Sequence, residues 1–335
     1  MKLRSVEINE FLNLAEKLPI LDARSEGEYE YGHIPGAFSF PILNNEERTL
    51  VGTCYKEKGH QAAVILGYEL VGGKFHQYIK KAYELFPKKN ILVHCFRGGL
   101  RSRILSDLLH SAGFDITLLN GGYKSYRQYV LQTCNMPLKL KVLGGYTGSA
   151  KTVILHRLKA KGLQVLDIEA LANHRGSAYG NIAMPAQPTQ EHFENILADD
   201  IVKLDHSKTI WIEDESRMTG MIKMPDALYD QLRMAPLYFI KIPFEQRMEK
   251  IIKEYGQFDR QLLIDATQKL KKRLGDLRMR DAVGFLEQGN YQEWLKIVLA
   301  YYDKTYLYGI MLREKDDIID VTFEGEELMN YLSSQ

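Results

Sequence analysis

Residues 91–105 read ILVHCFRGGLRSRIL, and this stretch decides the first half of the fold. Ile91–His94 is a short apolar run with the length and composition of a buried strand. Cys95 follows directly, two glycines stand at 98 and 99, and five residues separate Cys95 from Arg101. Leu100–Ala112 then has helical spacing, with Gly113 placed to cap its C-terminus. A loop wrapped between a strand end and a helix N-terminus turns successive backbone N–H groups inward, and the helix dipole adds partial positive charge. Gly98 and Gly99 free that backbone from Cβ clashes, while Arg97 and Arg101 add full charges. Phe96, Gly98, Gly99 and Leu100 are thus expected to form an anion cradle around Cys95, with Arg97 and Arg101 in catalytic support. In such a site a thiol pKa falls from about 8.5 toward roughly 3.5–7.5, which gives a thiolate at neutral pH. A thiolate there can attack a phosphate, a sulfane sulfur or a selenium donor. The loop alone does not choose among them.

Working outward, short apolar runs alternate with amphipathic stretches along the whole chain, so the expected class is α/β. Helices are expected at 7–17 and at 61–85, with a break near Gly72-Gly73. Strands are expected at Pro19–Ala23 and Ile116–Leu119. The polar segment Thr133–Pro137 ends this pattern, because Pro137 cannot continue a helix. It separates an expected first domain, 1–134, from a second, 138–335. Strands are expected at Leu138–Leu143, Gln164–Asp167, Thr209–Ile212 and Leu237–Ile242, followed by helices from about residue 244 to the end.

The second domain opens on VLGGYTGSAKTVIL, residues 142–155. Gly145, Tyr146, Thr147, Gly148, Ser149, Ala150, Lys151 and Thr152 fit the phosphate-binding P-loop pattern, with a strand before and a helix after. Backbone N–H groups would face a di- or triphosphate, Lys151 would supply a point charge, and Thr152 would coordinate Mg²⁺. Ala150 departs from the pattern, which has glycine before the lysine. A methyl there is tolerated if the local backbone is helical. P-loop proteins place a metal-side carboxylate at a strand end. The candidates are Glu213, Asp214 and Glu215 in WIEDESR, and Asp167 at the end of the preceding strand.

The length of 335 residues suits about two domains, and 45% hydrophobic residues suffice for two cores. Net charge is +1, so a polyanion surface has to be a local patch. One such patch is the stretch holding Lys271, Lys272 and Arg273. His174, Arg175, Ser177 and Arg217 are further candidates for tRNA or diphosphate contacts. Three cysteines fit a reducing compartment rather than a disulfide framework. No apolar run approaches the roughly 20 residues of a membrane span, and the N-terminus has no apolar core of a signal peptide. A cytoplasmic enzyme with no membrane contact is expected.

The stretch ILDARSEGEYEYGHIPGAFSFP at 20–41 and the Leu119–Tyr123 string LNGGY resemble the rhodanese family. The resemblance implies that Cys95 carries sulfur or selenium, and that Asp22 and Arg24 tie the fold together. A rhodanese-like domain followed by a P-loop NTPase-like α/β domain with additional helices resembles the tRNA 2-selenouridine synthase family. VGTCYKEKGHQAAVILGYELV at 51–71, LANHRGSAYG at 171–180, QPTQEHFEN at 187–195 and EDESRMTG at 213–220 support that resemblance. It implies a transferase acting on tRNA that carries wobble 2-thiouridine. Geranyl diphosphate and selenophosphate are its implied substrates, through an S-geranylated intermediate. Mg²⁺ is an implied cofactor, a selenophosphate-producing enzyme an implied partner, and no tightly bound organic cofactor is expected. The alternatives are a phosphatase or sulfurtransferase on the rhodanese fold, or a P-loop kinase with a regulatory rhodanese module. The ligand of the P-loop stays open among geranyl diphosphate, a nucleotide and a tRNA phosphate.

Overall fold

A computed structural model describes residues 2–335 of the chain. In chain order the elements are β1 (Leu3–Val6), α1 (Ile8–Ala15), β2 (Ile20–Asp22), α2 (Glu26–Tyr31), β3 (Phe38–Ser39), α3 (Asn45–Gly72), α4 (Phe75–Leu85), β4 (Asn90–His94), α5 (Leu100–Ser111), β5 (Asp115–Leu119) and α6 (Gly122–Cys134). There follow β6 (Leu140–Gly145), α7 (Lys151–Ala160), β7 (Gln164–Leu166), α8 (Ile168–Leu171), α9 (Gln190–Val202), β8 (Ile210–Glu213), β9 (Met218–Thr219), β10 (Ile222–Lys223), α10 (Asp226–Met234) and β11 (Leu237–Ile240). The chain closes with α11 (Phe244–Tyr255), α12 (Arg260–Lys269), α13 (Lys271–Leu274), α14 (Asp276–Glu287), α15 (Tyr291–Ile310), β12 (Ile318–Val321) and α16 (Gly325–Ser333). Two compact units result: Met1–Thr133 with Glu194–Asp199, and Cys134–Phe193 with Asp200–Gln335.

The first unit is built on a five-stranded sheet in the order β1-β5-β4-β2-β3, every pair parallel. Parallel strands are covered on both faces, so the central ones read as continuous apolar runs. Ile91, Leu92 and Val93 of β4 and Leu21 of β2 are fully buried, each contributing roughly 1.5–3 kcal/mol of transfer free energy. The C-terminal ends of β2 and β4 bring Asp22 and His94 side by side in register, with Cys95 next along the chain.

The second unit carries its own parallel five-stranded sheet, β12-β11-β6-β8-β7, with β6 at its centre. Leu143 and Ile240 are fully buried there, and the P-loop leaves from the end of β6. A helical layer from α11 to α15 packs around Trp294, Leu263, Leu270 and Leu286.

Three expectations need correction. The helix expected to start at 61 begins at Asn45, where Asn44 accepts from the Glu47 N–H in a capping box. It is broken at Gly59, whose φ of 83° is open to glycine. The C-terminal stretch is not helical throughout: Ile318–Val321 adds an edge strand beside β11. β1, a charged edge strand, was not expected at all.

Candidate active sites of the two units

Cys95 sits at the tip of β4, 3% exposed, with its Sγ 3.2 Å from Ser102 Oγ of α5. The loop from Phe96 to Gly99 reaches α5 through Gly98, whose φ is 66°. Among the described residues no group accepts a hydrogen bond from the N–H of Phe96, Arg97, Gly98 or Gly99, which leaves that row of donors for an anion. The loop's carbonyls are engaged from behind. Tyr123 N–H donates to the Cys95 carbonyl at 2.8 Å, and Lys124 N–H to that of Phe96 at 2.9 Å. Gly122 makes this possible: its φ is 60°, and a methyl there would overlap the Cys95 carbonyl oxygen.

Beneath the loop, Arg24 forks onto Asp22 through Nε and Nη2 at 2.6–3.0 Å, donates to the Gly32 carbonyl, and lies 3.6 Å from the Tyr123 ring centroid. Burial alone would raise the Asp22 carboxyl, but His94 and the Arg24 hydrogen bonds hold it below the ordinary range. His94 is fully buried 3.7 Å from Asp22, and burial lowers its pKa. The Asp22–Arg24 pair braces the strand ends and does not face a ligand.

Arg97 and Phe96 are exposed at the lip, the guanidinium 5.7 Å from the Phe96 ring centroid. Leu100 is exposed at the first turn of α5. Arg101 is committed elsewhere. It makes two hydrogen bonds to Glu28 of α2, at 2.5 and 3.2 Å. Burial would lower its pKa, but Glu28 raises it above the ordinary value, with Cys95 a smaller contributor in the same direction.

In the second unit the P-loop joins β6 to α7. Gly148 has φ 85°, and Ser149 Oγ donates to the Tyr146 carbonyl. Arg247 of α11 donates to the Thr147 carbonyl and forks onto Asp303, which pins the loop from outside. Tyr306 Oη accepts from the Gly145 N–H and donates to Asp214. Lys151 Nζ donates to the Gly145 carbonyl at 3.0 Å and stands 3.3 Å from Glu213. Burial lowers its pKa, but Glu213, Glu215 and Glu169 together raise it above the ordinary value.

Ala150 holds a left-handed conformation, φ 60° and ψ 33°. The expectation that a helical backbone would accommodate its methyl therefore fails in hand: this is the region glycine favours, and an L-residue there costs roughly 1–2 kcal/mol.

Glu169, Glu213 and Glu215 each bring a carboxylate oxygen within 4.8 Å of the others, and Thr152 Oγ1 lies 3.3 Å from Glu169 and 3.2 Å from Glu213. Burial and the two neighbouring carboxylates push Glu169 up to about 10, and burial and Glu213 push Glu215 up to about 7. Gly176, at φ 70°, lets its chain run against this trio, where a Cβ would meet Glu215 at 2.8 Å and Glu169 at 3.0 Å.

A rhodanese-like domain model matches residues 7–129, and a model described as the tRNA 2-selenouridine synthase AAA domain matches residues 138–335. The tRNA 2-selenouridine synthase of Nitrosomonas europaea is 35% identical, over 95% of this chain and 95% of its own length. That of Bdellovibrio bacteriovorus is 34% identical over 99% of this chain and 100% of its own, and that of Shewanella halifaxensis 35% over 92% and 94%. The chain belongs to the tRNA 2-selenouridine synthase family. A crystallised N-terminal domain from Clostridium difficile 630 is 40% identical over 38% of this chain and 98% of its own, with a TM-score of 0.36.

Within this synthase family frame, the acidic candidates separate cleanly. Glu213 and Glu215 face Lys151 and Thr152. Asp214 turns away to Arg313 at 2.8 Å, and Asp167 accepts from the Ala170 N–H and His156. Glu169 was missed by the sequence reading. It lies two residues beyond the β7 end, and the single turn of α8 aims it inward. His174 is buried with Nδ1 accepting from the Gly176 N–H, Arg175 pairs with Glu254, and Ser177 accepts from the Tyr179 N–H. Arg217 pairs with Asp226 on an exposed surface. Lys271, Lys272 and Arg273 are exposed on α13, where Lys271 pairs with Asp276. No helix among the described residues is long and apolar enough to cross a membrane.

Proposed function

We propose that this chain converts wobble 2-thiouridine in tRNA to 2-selenouridine through an S-geranylated intermediate, using geranyl diphosphate and selenophosphate. The observation that carries the reading is the presence in one chain of two separate anion cradles with different chemistry. One has a thiol and a row of N–H donors at 95–101; the other has Lys151, Thr152 and three carboxylates. Relatives 34–35% identical over nearly the full chain bear the name of this activity.

In the first step the uridine sulfur forms a bond to the geranyl C1, the C1–O bond breaks, and diphosphate leaves. Charge develops on the leaving oxygens. The Gly145–Lys151 N–H groups and the Lys151 ammonium would stabilise it. In the second step the selenium of selenophosphate bonds to C2 of the base, geranylthiol leaves, and the phosphoryl group passes to water. The Phe96–Arg101 loop would hold the selenophosphate anion beside Cys95, with Arg97 reaching it from the lip.

The carboxylate trio fits a divalent cation on its own evidence. Three clustered acids, two with raised pKa values, are a site short of positive charge. Glu169, Glu213, Glu215 and Thr152 would hold Mg²⁺, which supplies charge neutralisation for a bound diphosphate. tRNA would meet the exposed Lys271–Arg273 stretch in a cytoplasmic setting, with selenophosphate supplied by the enzyme that makes it.

Two single-step assays test the reading, one starting from 2-thiouridine tRNA and one from S-geranylated tRNA, each scored by nucleoside mass spectrometry. Cys95→Ser should abolish the second step with the fold intact. Lys151→Ala should damage the first step more than the second, because selenation releases no diphosphate. Equal losses for Lys151→Ala in both steps, or dependence on ATP in either, would remove the diphosphate from this loop.

A further inference from the structure

The P-loop does not face solvent on its α11 side. Ile251 of α11 lies against it: a methyl placed on Gly148 would sit 2.8 Å from Ile251 Cδ1. From Thr147 and Ser177 a slot runs into the helical core between Ile251 and the α15 side chains Leu295, Val298 and Leu299. Tyr179, Trp294 and Tyr302 complete its wall. The space between the lining atoms is about 260 Å³, with about 10 Å³ of it open to a water, so the slot is narrow and side chains part as it fills.

The polar atoms of that wall are turned to each other. Tyr179 Oη and Thr267 Oγ1 are 2.8 Å apart, Trp294 Nε1–H donates to the same oxygen at 3.2 Å, and Tyr302 Oη accepts from the Ala178 N–H at 3.0 Å. The slot therefore presents hydrocarbon to whatever enters. A purine or ribose pushed into it would leave its own donors and acceptors unpaired, which is costly in a dry site. A ligand with a polyanionic head and an apolar tail uses the P-loop and the slot together.

We propose that this slot receives the hydrocarbon tail of a prenyl diphosphate whose head lies on the P-loop, and that Ile251, Leu295 and Leu299 set the chain length accepted. The proposal rests on the reading of the P-loop as a diphosphate site, and names the residues that would make it selective.

The test is calorimetric titration of the full chain, with Mg²⁺, using inorganic pyrophosphate, dimethylallyl, geranyl and farnesyl diphosphates, and ATP. Each buried methylene contributes about a fourfold gain in affinity, so geranyl diphosphate should bind on the order of 100-fold tighter than pyrophosphate. Leu299→Ala lengthens the slot and should shift preference toward farnesyl diphosphate by about tenfold. Leu295→Phe shortens it and should weaken geranyl diphosphate about tenfold while pyrophosphate affinity is kept, which also reports an intact P-loop. Equal affinity for pyrophosphate and geranyl diphosphate would overturn the tail slot and leave the diphosphate site standing. Binding of ATP with no binding of any diphosphate would overturn both.

Discussion

Replacing Glu169 by glutamine should stabilise the metal-free protein at alkaline pH and remove its response to Mg²⁺. The wild-type Glu169 carboxyl is pushed from an ordinary 4.5 to about 10 by burial and by Glu213 and Glu215. An acid whose folded-state pKa lies above its unfolded value binds its proton more tightly when folded. Its contribution is therefore full below about pH 4.5 and falls as pH rises toward the folded value. At pH 8 the ceiling on that loss is about 5 kcal/mol, from about 1.4 kcal/mol per pH unit. The trio shares its protons, so a single substitution recovers less than half, about 2 kcal/mol. For a unit of about 200 residues that corresponds to a rise of roughly 5 °C in melting temperature. Glutamine keeps the shape and donates to the neighbouring carboxylates, so little packing is lost. The assay is thermal unfolding at pH 5, 7 and 9, with and without millimolar Mg²⁺. Wild type should lose stability from pH 5 to 9 without metal and regain it with metal, most strongly at pH 9. Glu169→Gln should be flatter in pH and gain less from Mg²⁺. A flat wild-type profile, or a variant less stable than wild type at pH 8 without metal, would refute the reasoning.

Other perturbations follow the same geometry. Arg101→Ala strands a largely buried Glu28 and should cost about 2 kcal/mol in urea unfolding; it should also raise the apparent pKa of Cys95 alkylation, and an unchanged profile would exclude Arg101 from tuning the thiol. Ala150→Gly relieves the left-handed strain but adds freedom to the unfolded chain, so its unfolding free energy should stay within about 0.5 kcal/mol of wild type, whereas Ala150→Val should lose about 2 kcal/mol. Charge reversal of Lys271, Lys272 and Arg273 together should weaken tRNA binding and flatten its salt dependence in filter-binding titrations; unchanged affinity would place the RNA surface elsewhere.

The strands that carry both sites were legible because parallel, doubly covered strands are written as unbroken apolar runs. Ile91–His94 and Leu237–Ile240 are examples. The elements that escaped lie at edges or are polar. β1 is LRSV, half charged, and gains its place only by pairing with β5. Ile318–Val321 is four residues behind an acidic run, and β11 makes it a strand. Residues 45–60 mix both charges with scattered apolar groups and have no apolar stripe, so no periodicity announces α3. The cysteine and glycine loops were readable as motifs, since their chemistry depends on adjacent residues. The commitment of Arg101 to Glu28, 73 positions away in sequence, was not. Nor was Glu169, which no motif connects to Lys151. Asp214 looked equivalent to its neighbours until strand alternation turned it toward Arg313.

Lys151 already holds two oxygens, the Gly145 carbonyl and the Glu213 carboxylate. An incoming anion has to outbid its own host for that ammonium. A lone monophosphate replaces two contacts with little else gained, while a chelating diphosphate also answers the row of loop amides and draws the carboxylates onto a shared cation. The resting contact is thus a threshold, discriminating against the small anions that crowd any cell and reserving the loop for ligands with more than one point of attachment.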